Sequence, residues 1–159
     1  MEIIAPDISQ LEAITQNDVL LRLYRYWLDK CGDRLCPSRS DIDPLEFSFA
    51  FNWVSLVDVL KEPRRFRYRL VASQLTERLG YEMTGKYVDE IPDDDVRRYV
   101  DDLYTRTVEL AAPLYENNTR NFDQKIWQYE ALVLPLSTDG TAIDMIMVYR
   151  ITEKPRPVC

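Results

Sequence analysis

The sequence predicts an α+β domain with this order of elements: an N-terminal helical segment, two strands, a block of short helices and three strands. Three observations predict it. Residues 65–71 alternate arginine with apolar residues, which is the period of a half-buried strand. Apolar residues recur at helical spacing after Asp93. The Asp139-Gly140 step marks a turn between two apolar segments near the C-terminus.

The N-terminal segment is predicted to hold two helices. Ser9 and Glu12 have the spacing of a capping box, and Ile8 can serve as its hydrophobic staple. A second helix follows Asn17, because apolar residues recur at helical spacing up to Gly32, a suitable C-terminal cap. The apolar stripe of this helix must be covered, either by the sheet of the same domain or by a helix of a partner.

A short helix and the first two strands come next. Asp43-Pro44 predicts a helix start, and the helix should run to about Phe51. Residues 53–60 are mostly apolar and rich in β-branched residues, which predicts a buried strand. Residues 65–71 complete an antiparallel hairpin with it, and their alternation places three side chains on one face: Phe66, Tyr68 and Leu70.

The helical block follows this hairpin. Residues 73–79 predict a short helix that ends at Gly80, and Gly85 indicates a compact, turn-rich stretch. The acidic residues 93–95 suit the first turn of a longer helix, where the macrodipole is positive. Capping is preferred over a metal site for these carboxylates, because no other set of ligands is spaced to join them.

Three strands end the domain. We predict strands over residues 114–126, with an irregularity at Asn117-Asn118, over 127–136 and over 143–151. The last strand is partly apolar on both faces, so the sheet needs cover on both. The helical block should cover one face. The N-terminal helix or a second subunit should cover the other, and we predict a homodimer.

Composition and charge exclude several functions. The net charge is −7, and the basic cluster between Arg64 and Arg69 lies in a predicted strand, which indicates a solvated strand face rather than a nucleic-acid surface. The chain has no histidine, which removes the commonest general base and metal ligand and excludes Ser-His-Asp and Cys-His catalysis within one chain. Cys31, Cys36 and Cys159 form no CxxC pair and are predicted to be free thiols rather than a zinc site or disulfide framework.

Two further exclusions concern location. No apolar run approaches the length of a membrane span, so we expect no membrane insertion. The N-terminus lacks a basic stretch followed by an apolar core, so it is not read as a signal peptide. The expected compartment is the cytoplasm, where a Cys31–Cys36 disulfide is disfavoured.

Five short motifs occur in order along the chain: Tyr26-Trp27, Leu35 to Pro44, Phe66 to Val71, Thr84-Gly85 and Leu134 to Gly140. Together they resemble a bacterial subfamily of nearly free-standing PAS domains. Gly80-Tyr81, Gly85 and Asp89 also resemble the helical segment of many PAS domains. The match covers roughly residues 23–150. One departure is Ala72, where the subfamily usually has glycine; it would either tighten a turn or alter the edge of a ligand cavity.

The resemblance implies a PAS fold: a five-stranded antiparallel sheet, a block of short helices on one face, and a cavity between them. We therefore divide the chain into an N-terminal helical cap (1–34), a PAS-like core (35–152) and a flexible tail (153–159). The predicted ligand-binding residues are Tyr68, Leu70, Met83, Tyr87, Trp127, Leu134, Met145 and Met147. Plain core packing is the alternative role for each of them.

Arg69 joins this set only through the resemblance, because alternation points it away from Tyr68 and Leu70. Its alternative role is an ion pair with an acidic neighbour or a cap on a helix end. Flavin photosensors of this fold use a reactive cysteine in an Asn-Cys-Arg-Phe motif on the helical block. No cysteine lies between Cys36 and Cys159, so flavin photochemistry is not expected. The lack of histidine disfavours haem. A small apolar or amphipathic ligand, or none, remains.

These observations predict a bacterial, cytoplasmic sensory module rather than an enzyme. It would bind a small ligand, a signalling protein partner, or both, without an output domain of its own. One alternative is a ligand-free adaptor that uses the domain surface for protein contacts. The other is a small enzyme that uses a strand-borne carboxylate: Asp58, Glu130 or Asp144.

Overall fold

The structure is a computed structural model that describes residues 3–122, 124–154 and 156–158. The helices are α1 (Ile8–Ile14), α2 (Asp18–Cys31), α3 (Ser73–Leu79) and α4 (Asp94–Leu110). The strands are β1 (Val54–Leu60), β2 (Arg65–Leu70), β3 (Leu114–Phe122), β4 (Lys125–Leu136), β5 (Met145–Thr152) and β6 (Arg156–Pro157). Of the helices in the described ranges, none is both long enough and apolar enough to cross a membrane.

The strands form one antiparallel sheet in the order β2-β1-β5-β4-β3. The predicted α+β fold, with five principal antiparallel strands and a helical block inserted after the second, is confirmed. The two-residue strand β6 pairs with the start of β4 at Lys125 and Ile126, so part of the predicted tail joins the sheet.

The two faces of the sheet can be told apart from the register of β5. Met147 lies between Leu56 and Leu134, whereas its neighbour Val148 lies between Ser55 and Val133. Directly paired residues share a face and successive residues alternate, so Met147 and Val148 belong to opposite faces.

The face that carries Met147 is covered by the N-terminal helices. The Trp27 indole on α2 donates a 2.9 Å hydrogen bond to the carbonyl of Pro135 on β4. The Asn17 amide donates to the Tyr149 hydroxyl on β5 at 3.2 Å. The apolar stripe of α2 therefore covers the domain's own sheet. This face does not need a second subunit to bury it.

Helix α1 begins two residues before the expected position. Asp7, not Ser9, is the N-cap: its carboxylate accepts from the Gln10 amide at 2.8 Å, and the Gln10 side chain accepts from the Asp7 amide at 2.9 Å. This capping box places Leu11 in the core, where it is fully buried. At the other end of the N-terminal pair, Gly32 follows α2 with a positive φ of 56°, as its predicted capping role requires.

The predicted helix from Asp43 to Phe51 is wrong. The backbone there makes turn-type hydrogen bonds between residues three apart, such as Phe47 to Pro44 and Ala50 to Phe47, and ends in a short 3₁₀ turn over Phe51–Trp53. Phe47 and Ala50 are buried while Leu45 is 83% exposed. The segment thus offers two anchors but no continuous apolar stripe, so tertiary packing decides its shape.

The other helix predictions are confirmed. α3 ends at Gly80, which has the left-handed φ of 82°. Asp93 is the N-cap of α4 and accepts a hydrogen bond from the Val96 amide at 2.9 Å, so the acidic residues do cap this helix. β3 runs without interruption through Asn117-Asn118, and β4 starts at Lys125, two residues earlier than expected.

The two described cysteines are free, as predicted. Cys31 and Cys36 are both buried, and burial raises the pKa of each thiol to about 11. Both are therefore neutral thiols at physiological pH. Cys159 lies outside the described residues.

Candidate functional site

A cavity of about 90 Å³ lies between the sheet and helices α3 and α4, on the face that carries Val148. The sheet contributes Ser55 and Val148 to its wall, α3 contributes Leu75, and α4 contributes Val96 and Val100. The walls are mostly apolar because the inner stripes of both helices face the sheet here. This is the cavity that the helical block was expected to create.

Two tyrosine hydroxyls meet in this cavity. Tyr68 on β2 and Tyr104 on α4 both line it, and their hydroxyl oxygens are 3.3 Å apart. Their rings pack edge to face with centroids 6.5 Å apart. Burial raises the pKa of Tyr68 well above its ordinary value, and burial also raises that of Tyr104. Both are therefore neutral hydrogen-bonding groups at physiological pH.

A buried carboxylate lies beside the cavity. Glu116 on β3 is only 1% exposed and accepts hydrogen bonds from the hydroxyls of Tyr99 on α4 and Tyr129 on β4, the latter at 2.6 Å. Burial is the main cause that raises the pKa of both tyrosines. The two phenols thus compensate a carboxylate that water does not reach.

Arg150 is the central charged residue of the site. It lies on β5, two residues after Val148, and so faces the cavity. Its Nη1 atom makes a long hydrogen bond of 3.4 Å to the Tyr99 hydroxyl, and its Cζ atom lies 4.9 Å from the centroid of the Tyr129 ring. Desolvation opposes its charge, but the surrounding tyrosines and Glu116 outweigh this, and the pKa of Arg150 is raised. Arg150 is permanently cationic.

A second arginine approaches from the edge strand. Arg120 on β3 also lines the cavity, and its Cζ atom lies 4.2 Å from the centroid of the Tyr99 ring. The Cζ atom of Arg150 lies 5.8 Å from the same centroid. One aromatic ring therefore attracts both guanidinium groups through cation–π contacts.

Three of the predicted ligand-binding residues line this cavity: Tyr68, Met83 and Trp127. The others lie elsewhere. Leu134 and Met147 pair with each other on the face under the N-terminal helices, and Met145 lies on that face as well. Their role as buried side chains is core packing.

Leu70, Tyr87 and Arg69 are also outside the cavity lining. Leu70 pairs with Leu56 at an irregularity in the β1–β2 register, which interrupts the alternation predicted for Phe66, Tyr68 and Leu70. The Tyr87 ring stacks under the Arg65 guanidinium at 3.5 Å. The half-exposed guanidinium of Arg69 forms an ion pair of 2.9 Å with the buried Asp58, which was its alternative role.

Sequence reasoning missed the polar part of the site, namely Tyr99, Tyr104, Glu116, Arg120, Tyr129 and Arg150. A signal for Arg150 was present. In the sequence, Ile146 and Val148 alternate with Met145 and Met147 along the last predicted strand, and continuing that alternation by two residues reaches Arg150. Tyr99 likewise lies on the predicted apolar stripe of α4.

The comparison with protein families decides the identity of this fold. The family model described as a PAS domain matches residues 15–149. This chain belongs to the PAS domain family. No curated protein matches it.

Two solved structures are similar to this PAS domain. An RsLOV variant is 13% identical with a TM-score of 0.45, and the match covers 70% of this chain and 69% of that one. A fungal LOV domain photoreceptor is 13% identical with a TM-score of 0.44, and the match covers 73% and 95%.

The three carboxylates that were predicted to lie on strands do not form a common site, and Asp144 lies just before β5 rather than on it. Asp58 pairs with Arg67 and Arg69, Glu130 accepts hydrogen bonds from the N-terminal helices, and Asp144 accepts from the Thr138 amide at 2.9 Å. Within the described ranges, no group of three or more acidic or cysteine side chains is placed to hold a metal ion. Each carboxylate therefore has a structural partner of its own.

Tyr129 and Glu130 are consecutive on β4, yet they contact opposite layers of the PAS domain. The Tyr129 hydroxyl donates to Glu116 beside the cavity. The Glu130 carboxylate accepts hydrogen bonds from Thr15 and Asn17 at the junction of the N-terminal helices. The cavity and the N-terminal helices are thus joined through one peptide unit of β4.

Proposed function

We propose that this PAS domain is a sensory module that binds a small ligand in the cavity between the sheet and helices α3 and α4. The observation that carries the proposal is a pocket with apolar walls into which a few polar groups converge, the hydroxyls of Tyr68 and Tyr104 and the guanidinium of Arg150. Pockets of this composition are typical of small-molecule sites.

The volume limits the ligand. One water molecule needs roughly 10–15 Å³ of cavity volume, and a dry engineered cavity of about 150 Å³ binds benzene. At about 90 Å³ the cavity holds a compact group of a few heavy atoms, and any larger ligand must extend out of it. The same small volume favours the second candidate function, a ligand-free adaptor whose surface makes the contacts.

We propose binding rather than catalysis, because Asp58, Glu130 and Asp144 each have structural partners and none lines the cavity. The proposal also includes a homodimer and a signalling protein partner in the bacterial cytoplasm. The support for the dimer and the partner is membership of a family that often mediates protein contacts. Light scattering during size-exclusion chromatography tests the dimer.

Native mass spectrometry of freshly purified protein, repeated after mild denaturation, tests the ligand. We expect a mass excess that disappears on denaturation. A clean apo mass, combined with no binding of small aliphatic or aromatic compounds to the refolded protein, would instead support the ligand-free adaptor.

A further inference from the structure

The charged residues that line the cavity are both cationic. Arg120 and Arg150 line it, and no acidic side chain does so among the residues that the structure describes. Glu116 does not line the cavity, and its carboxylate oxygens accept hydrogen bonds from the hydroxyls of Tyr99 and Tyr129. The tyrosines are neutral at physiological pH, so the surface that a ligand would touch carries positive charge.

The Arg150 guanidinium has hydrogen-bond donors available for a ligand. A guanidinium carries five N–H donors and no acceptor. In the described part of the chain, the hydrogen bond of the Arg150 side chain is the 3.4 Å contact with the Tyr99 hydroxyl. Its other close contacts are with the ring faces of Tyr99 and Tyr129, which hold the group in place and accept no conventional hydrogen bond.

The nearby carboxylate does not use these donors. The two oxygens of Glu116 each accept from a tyrosine hydroxyl. The ion pairs found in the described ranges include neither Arg120 nor Arg150. Glu116 acts on the charge of Arg150 without forming an ion pair with it, so the remaining N–H donors of this guanidinium can bind an anionic group directly.

We propose that the ligand is a small monocarboxylate whose anionic group binds Arg150, with Arg120 as the second cation. This inference rests on the proposed function. A planar carboxylate can accept two parallel hydrogen bonds from one guanidinium. A compact apolar pocket can therefore bind a carboxylate without supplying other donors. The apolar part of the ligand packs against Met83, Val148 and Leu75, which line the same cavity.

Matched pairs of probes test the anionic group. Butyrate and butyramide have nearly the same shape and differ in charge, as do propionate and propionamide. Binding is measured by calorimetry and by chemical-shift changes at fixed pH and ionic strength. We expect each carboxylate to bind at least about tenfold more tightly than its amide, as a hydrogen-bonded charge implies. Arg150→Gln should remove that preference.

The matched control is Arg106→Gln, which makes the same change of charge at an exposed ion pair on α4. It should leave the preference for carboxylates over amides intact.

A second variant covers the case in which Arg150→Gln does not fold. Arg120→Gln is expected to weaken carboxylate binding, and the comparison of carboxylate with amide on the unaltered protein still tests the proposal. The proposal is overturned if the amides bind as tightly as the carboxylates, and in that case ligand binding itself stands. If no probe binds in the millimolar range and the native mass is that of the apo protein, both proposals fail.

Discussion

The Thr15 hydroxyl donates a 2.6 Å hydrogen bond to the Glu130 carboxylate, which lies 115 residues further along the chain. Asn17 donates to the same carboxylate at 3.0 Å, and the Tyr115 hydroxyl also donates to it. Thr15 ends α1, and Asn17 caps α2. One side chain of β4 therefore holds the ends of both N-terminal helices against the sheet.

We predict that Glu130→Gln lowers the free energy of unfolding by about 2 kcal/mol, since hydrogen bonds to a charged group contribute about 1.5–3 kcal/mol. The amide of glutamine also presents donors to groups that are themselves donors. Urea denaturation measures the change, and hydrogen exchange should show faster opening of α1 and α2 than of the sheet.

The control for this change is Glu12→Gln. Glu12 forms an ion pair with Arg25 at 2.9 Å, with both side chains about half exposed, so its loss should cost less than about 0.5 kcal/mol. Equal effects of the two substitutions would show that Glu130 does not hold the N-terminal helices in the way the contacts indicate.

Neighbouring residues of β5 should differ in their effect on ligand binding. Val148→Leu adds a methylene to the cavity wall and should weaken binding of butyrate or of any co-purified ligand. Met147→Leu conserves volume on the opposite face, so it should cost less than about 1.5 kcal/mol in stability and leave binding unchanged. Calorimetry checks both. Loss of binding in Met147→Leu alone would place the ligand under the N-terminal helices instead.

The raised pKa of Tyr115 predicts a loss of folding stability at alkaline pH. Burial, with a further contribution from its hydrogen bond to Glu130, raises the pKa of Tyr115 from 10.0 to about 12. Below pH 10 both folded and unfolded chains keep the proton, and its stabilising effect is complete. Between the two pKa values the unfolded chain releases the proton first, so stability falls as the pH rises.

Urea denaturation across this alkaline range should therefore show a shallower decline for Tyr115→Phe than for the unaltered protein. Other buried tyrosines contribute to the decline in both proteins and cancel in the comparison. Parallel curves would mean that the Tyr115 phenol titrates as it does in the unfolded chain.

The thiols of Cys31 and Cys36 should resist modification. Their pKa values of about 11 and their burial leave almost no accessible thiolate at neutral pH. In a Cys159→Ser background, DTNB should react with neither thiol in the native protein and with both in denaturant. Rapid reaction of the native protein would show that this end of α2 opens readily.

The strands were predictable because their pattern is local. The alternation over residues 65–71 and the apolar run over 53–60 place β2 and β1 within one residue of their observed ends. The segment from Asp43 to Phe51 was not predictable in the same way. Its turns depend on where Phe47 and Ala50 are buried, which local propensity does not determine.

The site was predicted only in part, for a related reason. Tyr68 lines the cavity, but the register places the predicted ligand-binding residues Met145 and Met147 on the other face of the sheet. The carboxylate of Glu116 and the guanidinium of Arg150 come together only when β3, β4 and β5 pair. The spacing of these residues along the chain does not predict that arrangement.

The alternation of Tyr129 and Glu130 also bears on how this domain can diverge. Deleting or inserting one residue before this pair in β4 would turn Tyr129 toward the N-terminal helices and Glu130 toward the cavity. Both hydrogen-bond systems would be lost at once, since neither residue fits the other's partners. Insertions and deletions in related sequences should therefore fall in the turn between β3 and β4. Where they fall within β4, they should involve two residues at a time, which preserves the alternation.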